Sequence, residues 1–184
     1  MTWVEKQLIF KLCSIMLRYP DRAWVHNEEM VELVEELEDE KIRRSLLGFL
    51  DYVQETSWEE LTENYVRWFD LSESTTLYLT YGIFGDNRER GPAFVQLKME
   101  FAKAGFYLTE NELPDYLPLV LEFASIAEPK YVHKVLGIHG KAIAKLHETL
   151  REGQNPYASV VETVLTAMAM LVPERERNVD HNAS

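Results

Sequence analysis

Leu113-Pro114-Asp115-Tyr116-Leu117-Pro118, with Gly85-Asp86-Asn87-Arg88-Glu89-Arg90-Gly91 upstream, are the two runs where backbone-restricting residues and charges interrupt an otherwise periodic apolar pattern. Each either starts a helix or breaks one, so their reading decides the fold. Pro92 has no amide hydrogen and clashes with a preceding turn, which predicts a helix beginning there with Gly91 as its cap. A start at Asp86, with Glu89 in the capping-box position, would leave Pro92 inside the helix and kink it, so the first reading is preferred. It leaves Arg88 and Arg90 on a loop beside a helix N-terminus. There the pair either binds an anionic group or is neutralised by the chain's own carboxylates. Asp115 stands where an N-cap belongs, with Pro118 in the first turn, where its missing donor costs nothing. Leu117, Val120, Leu121 and Ala124 then share one face. The run is either a rigid lead-in to that helix or a hinge between two helical halves with a groove beside it.

Outward from these runs the apolar spacing is helical almost everywhere. Residues 3–19 carry Leu8, Leu12, Ile15 and Tyr19 on one side and stop at Pro20. Asn27 caps a second helix with Met30, Val31, Val34 and Leu37 inward and a run of glutamates outward, which reads as a solvated acidic face. Ile42, Leu46, Phe49, Leu50 and Val53 form a third stripe. Ser57, with Glu60 three residues on, caps a fourth whose face is Trp58, Leu61, Tyr65 and Trp68. Such an aromatic stripe is either core or the wall of a groove. Residues 71–76 are polar, and Ser72, Ser74 and Thr75 can cap the next element. Residues 77–84 could be a buried strand on propensity, but a lone strand has no partner, so helix is expected. Phe94, Leu97, Phe101 and Ala104 continue the pattern to Gly105, a left-handed terminus. A further helix from Pro129 to about Leu150 contains Gly137 and Gly140, which predict a kink or a break. Asn155 caps a last helix bearing Val160, Val161, Val164, Leu165, Met168 and Leu171, and Pro173 stops it. The expectation is an all-α, single-domain bundle of about eight to ten helices over residues 1–173, with a disordered tail at 174–184.

Composition removes several function classes. A net charge of -12 opposes nucleic acid and an anionic membrane surface, and favours a basic peptide as partner. Cys13 is the only cysteine, so an intramolecular disulfide and a cysteine-based zinc site are excluded. No run has the length of a membrane span, and the first residues lack a secretory pattern, so a cytoplasmic location is expected. His133, His139 and His147 lack the spacing of a helical metal pair. Gly137-Ile138-His139-Gly140-Lys141 lacks the hydroxyl and the upstream glycine of a phosphate loop. No nucleophile and base are set together, so no catalytic residue, cofactor or metal is expected.

Three groups carry a resemblance: Tyr65-Val66-Arg67-Trp68-Phe69-Asp70; Leu77-Tyr78-Leu79-Thr80-Tyr81; and the Gly85 to Gly91 and Glu112 to Pro118 runs followed by Leu121-Glu122-Phe123. In order and spacing they resemble the NarJ family, the assembly chaperones of respiratory nitrate reductase, within the TorD/DmsD/NarJ group. The family's proline-aspartate run usually continues with histidine, and Tyr116 stands there. The resemblance implies a TorD-like helical chaperone, not an enzyme. It would bind the N-terminal peptide of the molybdenum-containing catalytic subunit of a membrane-bound oxidoreductase and delay membrane docking until the cofactor is loaded. It implies Tyr65, Phe69, Tyr78 and Tyr81 as groove lining, Asp86, Arg88 and Arg90 as polar contacts, and Pro114, Asp115 and Tyr116 as the hinge. A structural subunit retained in the complex would need the same surfaces. A small hydrolase using Asp86, Arg88 and Asp115 is the remaining alternative.

Overall fold

The structure is a computed structural model that describes residues 1–85, 88, 90–109 and 112–171. Among these residues it is all-helical, with ten α-helices, one π-helical turn and no β-strand. The helices are α1 (Trp3–Met16), α2 (Arg22–Val25), α3 (Glu28–Glu35), α4 (Glu40–Glu55) and α5 (Trp58–Tyr65), followed by the π-helical turn Val66–Asp70. Then come α6 (Leu79–Phe84), α7 (Arg90–Lys103), α8 (Leu117–Ile126), α9 (Pro129–Glu152) and α10 (Tyr157–Ala169).

Local chemistry explains most of the helix starts. The side chains of Thr2, Asp21, Asn27, Asp39 and Ser57 each accept a backbone N–H in the first turn of α1 to α5, meeting donors that a helix start otherwise leaves unpaired. Asn155 serves α10 in the same way, its Oδ1 accepting from Tyr157 N at 2.9 Å. Gly105 takes a positive φ of 84° just beyond α7, as a left-handed terminus requires.

Helix α1 lies in the centre, packing along α8 and α10, while α10 also contacts α4 and α9. Its buried side chains Ile9, Phe10, Leu12, Cys13 and Met16 leave almost no surface exposed. Cys13 is inert there: burial pushes its thiol far above the usual range. Tyr157 of α10 is wholly buried and gathers Tyr65, Trp68 and Phe69 around it, with ring centroids 6.0, 5.9 and 5.0 Å away. The aromatic stripe of α5 and the π-helical turn is therefore largely core. The glutamates of α3 face solvent.

Four expectations need correction. Helix α7 begins at Arg90, not Pro92, so the proline sits in the first turn, where an absent N–H leaves no bond unmade. Helix α8 has Tyr116 as its N-cap, without a side-chain cap, because the Asp115 carboxylate is engaged elsewhere. Helix α6 has no side-chain cap from the preceding serines and threonine. Helix α9 runs unbroken for 24 residues through Gly137 and Gly140. Its buried face of Val132, Val135, Leu136, Ile143 and Leu146 packs against its neighbours and outweighs the propensity cost of two glycines. The tail at 174–184 and Pro173 lie outside the described residues.

Candidate functional site

The site is built where the lead-ins of α6 and α8 meet. Leu79 N donates to Asp115 O at 3.0 Å and Leu117 N donates to Leu77 O at 2.9 Å, which brackets Tyr78 and Tyr116 as a single antiparallel bridge. The run 77–84 is thus helical from Leu79 onward, preceded by the strand-like Tyr78, which has a partner in Tyr116. Both tyrosines project together, their rings 5.2 Å apart.

Behind this bridge lies a buried polar knot. Asp115 is fully buried, and its Oδ2 accepts from Thr80 N at 3.1 Å and Thr80 Oγ1 at 2.5 Å. Arg90 reaches the same carboxylate at 3.7 Å and donates from Nε to Thr80 Oγ1 at 3.1 Å. Its guanidinium also lies over the rings of Tyr81 and Phe94, at 5.4 and 5.0 Å. Arg90 is therefore neutralised by the chain's own carboxylate, the second of the two roles open to it. The knot ties the starts of α6, α7 and α8 into one unit, and a hydrogen-bonded buried charge holds such a junction in a single geometry.

In front of the bridge, two cavities share Tyr78 and Leu113 as the ridge between them. The first, of about 480 Å³, has Phe69, Tyr78 and Tyr81 in its walls, Arg90 at its back, and Asp70 and Glu73 among its lining. The second, of about 310 Å³, is bounded by Tyr116 and Leu119 with Arg18, Glu112 and Glu122. Arg18 is paired there with Glu122 at 2.5 Å, and Lys11 with the same carboxylate at 3.0 Å. Leu71, Leu113 and Tyr78 expose 78, 41 and 37% of their surface around these openings, so apolar area is left unburied on this face.

Phe69, Tyr78, Tyr81 and Arg90 therefore come together at one cavity, and Tyr116 joins Tyr78 at the next. Tyr65 lies beneath rather than on this surface: it is 3% exposed, and its hydroxyl donates to Leu17 O at 2.9 Å. The Tyr116 hydroxyl stands 3.5 Å from that of Tyr65, and burial raises the pKa of both. A tyrosine at position 116 thus supplies a neutral hydroxyl and an aromatic face. Pro114 and Asp115 are buried and offer no surface to a ligand. Arg88 is exposed and lines neither cavity, and Asp86 lies outside the described residues.

The sequence reading missed Glu73, Leu71 and Thr80. Residues 71–76 signalled only a broken pattern, yet Leu71 and Glu73 line the cavity, and the Thr75 hydroxyl pins the segment back by donating to Trp68 O. No signal in the sequence pointed to them, because the π-helical turn that ends beside Leu71 is visible only in the structure. No group of three or more histidine, cysteine or acidic side chains that could hold a metal occurs among the described residues, and no helix among them is long and apolar enough to cross a membrane.

Residues 35–162 match the family described as nitrate reductase delta subunit. The chain is 36% identical over 169 residues to the probable nitrate reductase molybdenum cofactor assembly chaperone NarJ of Bacillus subtilis (strain 168), covering 91% of this chain and 92% of that protein. It is 31% identical over 158 residues to the nitrate reductase molybdenum cofactor assembly chaperone NarJ of Escherichia coli (strain K12), covering 84% of this chain and 66% of that one. Over 158 residues it is 30% identical to the nitrate reductase-like protein NarX of Mycobacterium tuberculosis, of which it spans only 24%. With an all-helical fold and matches along most of its length, the chain belongs to the nitrate reductase delta subunit family, which includes the NarJ assembly chaperones.

Proposed function

We propose that this protein is a cytoplasmic assembly chaperone, without catalytic activity of its own, that binds the N-terminal segment of the catalytic subunit of a nitrate reductase-like molybdenum enzyme. It keeps that subunit open for cofactor insertion and holds it back from its membrane partner until the cofactor is in place. The observation that carries this reading is the 36% identity along 91% of the chain to a protein named as such a chaperone. The paired cavities support it, because a short amphipathic peptide gains affinity by burying a few apolar anchors in a preformed groove. Around Tyr78 such a groove offers apolar and aromatic area with a polar edge.

Co-expression with the host's catalytic subunit, full length or lacking its first residues, tests this. The account expects the full-length subunit to be retained on the tagged chaperone and the truncated one to be lost. Equal retention of both would overturn the N-terminal assignment.

A second reading, a subunit that stays in the finished enzyme, is favoured by NarX, a nitrate reductase-like protein in which the similar stretch is 24% of a longer chain. A transient chaperone leaves when the client matures, whereas a subunit co-purifies with the cofactor-loaded enzyme.

A further inference from the structure

The first cavity has a charge pattern that an apolar anchor alone does not satisfy. Asp70 and Glu73 both line it, both are exposed, and neither has an ion-pair partner among the described residues. The single cation in its wall, Arg90, is already matched by the buried Asp115. With Arg90 balanced by Asp115 behind the wall, the two carboxylates that line the cavity, Asp70 and Glu73, are left as two uncompensated negative charges. Tyr81 turns its hydroxyl to Glu73 Oε1 at 3.0 Å, which holds that carboxylate at the aromatic wall.

We infer that this cavity seats one arginine side chain of the partner's peptide, its stem along Phe69 and Leu71 and its guanidinium against Tyr78 and Tyr81 within reach of Asp70 and Glu73. This refinement rests on the peptide-binding reading above. Covering two unpaired carboxylates with an apolar anchor would strip their water and return nothing, whereas a guanidinium returns charge-assisted hydrogen bonds. An acidic anchor would meet the same two carboxylates and find Arg90 occupied by Thr80 and Asp115. Arginine fits better than lysine because its planar, weakly hydrated head stacks on aromatic faces. Two arginines already make that pairing, Arg90 over Tyr81 and Phe94 at 5.4 and 5.0 Å and Arg22 over Trp58 at 4.7 Å.

The test is an NMR titration of the whole chain with three small probes: the N-acetyl amides of arginine, norleucine and glutamate. The arginine probe is expected to give saturable shifts at Phe69, Tyr78 and Tyr81, with norleucine and glutamate weaker by about fivefold or more. The Asp70→Asn, Glu73→Gln double variant, altered only at exposed positions, is expected to lose the arginine preference. Equal shifts from all three probes, a preference for glutamate, no arginine shifts at that wall, or an arginine preference surviving the double variant would each overturn the inference. The catalytic subunit's N-terminal peptide is titrated in parallel. Peptide binding without arginine preference sinks this inference alone, and arginine binding without peptide binding sinks the peptide-binding reading while the cavity's preference stands.

Discussion

The carboxylate of Asp115 has no solvent to share its charge with, so Thr80 and Arg90 must do so. Asp115→Ala would strand the Thr80 donors and the half-buried guanidinium together, and should cost about 2–4 kcal/mol in urea unfolding. Asp115→Asn keeps an acceptor for Thr80 and should cost less. The need for an acceptor at Asp115 was legible in the sequence, but its partner was not. Capping rules look three residues ahead, while Thr80 lies 35 residues upstream and is delivered by the bridge at Tyr78. His139 tells a similar story. Its spacing from His133 and His147 gave no sign of its burial, yet it is 2% exposed with Nε2 unpartnered, and burial lowers its pKa to about 4. Because that value lies below the ordinary 6.5, the unfolded chain takes up the proton first as the solution is acidified. The contribution to stability is complete above pH 6.5 and is lost between 6.5 and about 4, up to ~3 kcal/mol. Urea titrations across that window should show the loss in the wild type, and His139→Met should flatten it relative to the wild type. Parallel pH curves for the two proteins would refute the assignment.

At the scale of elements, the helices whose caps and stripes lie close in sequence could be read directly: Asn27 for α3, Ser57 for α5, and Ile42 to Val53 along α4. The misreadings fall where tertiary contacts override local preference. Helix α7 starts at Arg90 because that side chain is fastened to Asp115 and Thr80. Helix α9 stays continuous because its packed face outweighs its glycines. Gly137 is exposed and an added Cβ would meet nothing within 4 Å, so Gly137→Ala should stabilise the protein by about 0.5–1 kcal/mol, seen as a raised urea midpoint. A destabilised variant would show that the glycine serves a contact or a motion that the helix hides. The π-helical turn has no local signature in Val66-Arg67-Trp68-Phe69-Asp70. Its wide turn closes through Leu71 N to Val66 O at 3.0 Å, with Tyr65, Trp68 and Phe69 drawn onto Tyr157 from α10, far along the chain.

At the scale of the molecule, the acidic surplus of -12 is spread over the surface, including the exposed glutamates of α3, and only part of it edges the cavities. Spread charge steers a basic segment without gripping it, so the association rate of the N-terminal peptide should fall on the order of tenfold from low to high salt. Stopped-flow fluorescence would read this, and a salt-independent rate would remove charge from the recognition step. That the chain would be helical was legible in the sequence, as was an aromatic stripe across α5 and the π-helical turn. Which aromatics border the cavities was not, because Tyr65 and Phe69 are equally buried at 3% exposure and only packing leaves Phe69 at the cavity wall. The most direct measurement places a photoreactive phenylalanine analogue at Tyr78 and, in a second protein, at Glu35 on the acidic side of α3, each with the full-length catalytic subunit present. The account predicts a crosslink from position 78 to the first residues of that subunit and little from position 35; a crosslink from position 35 alone would contradict it.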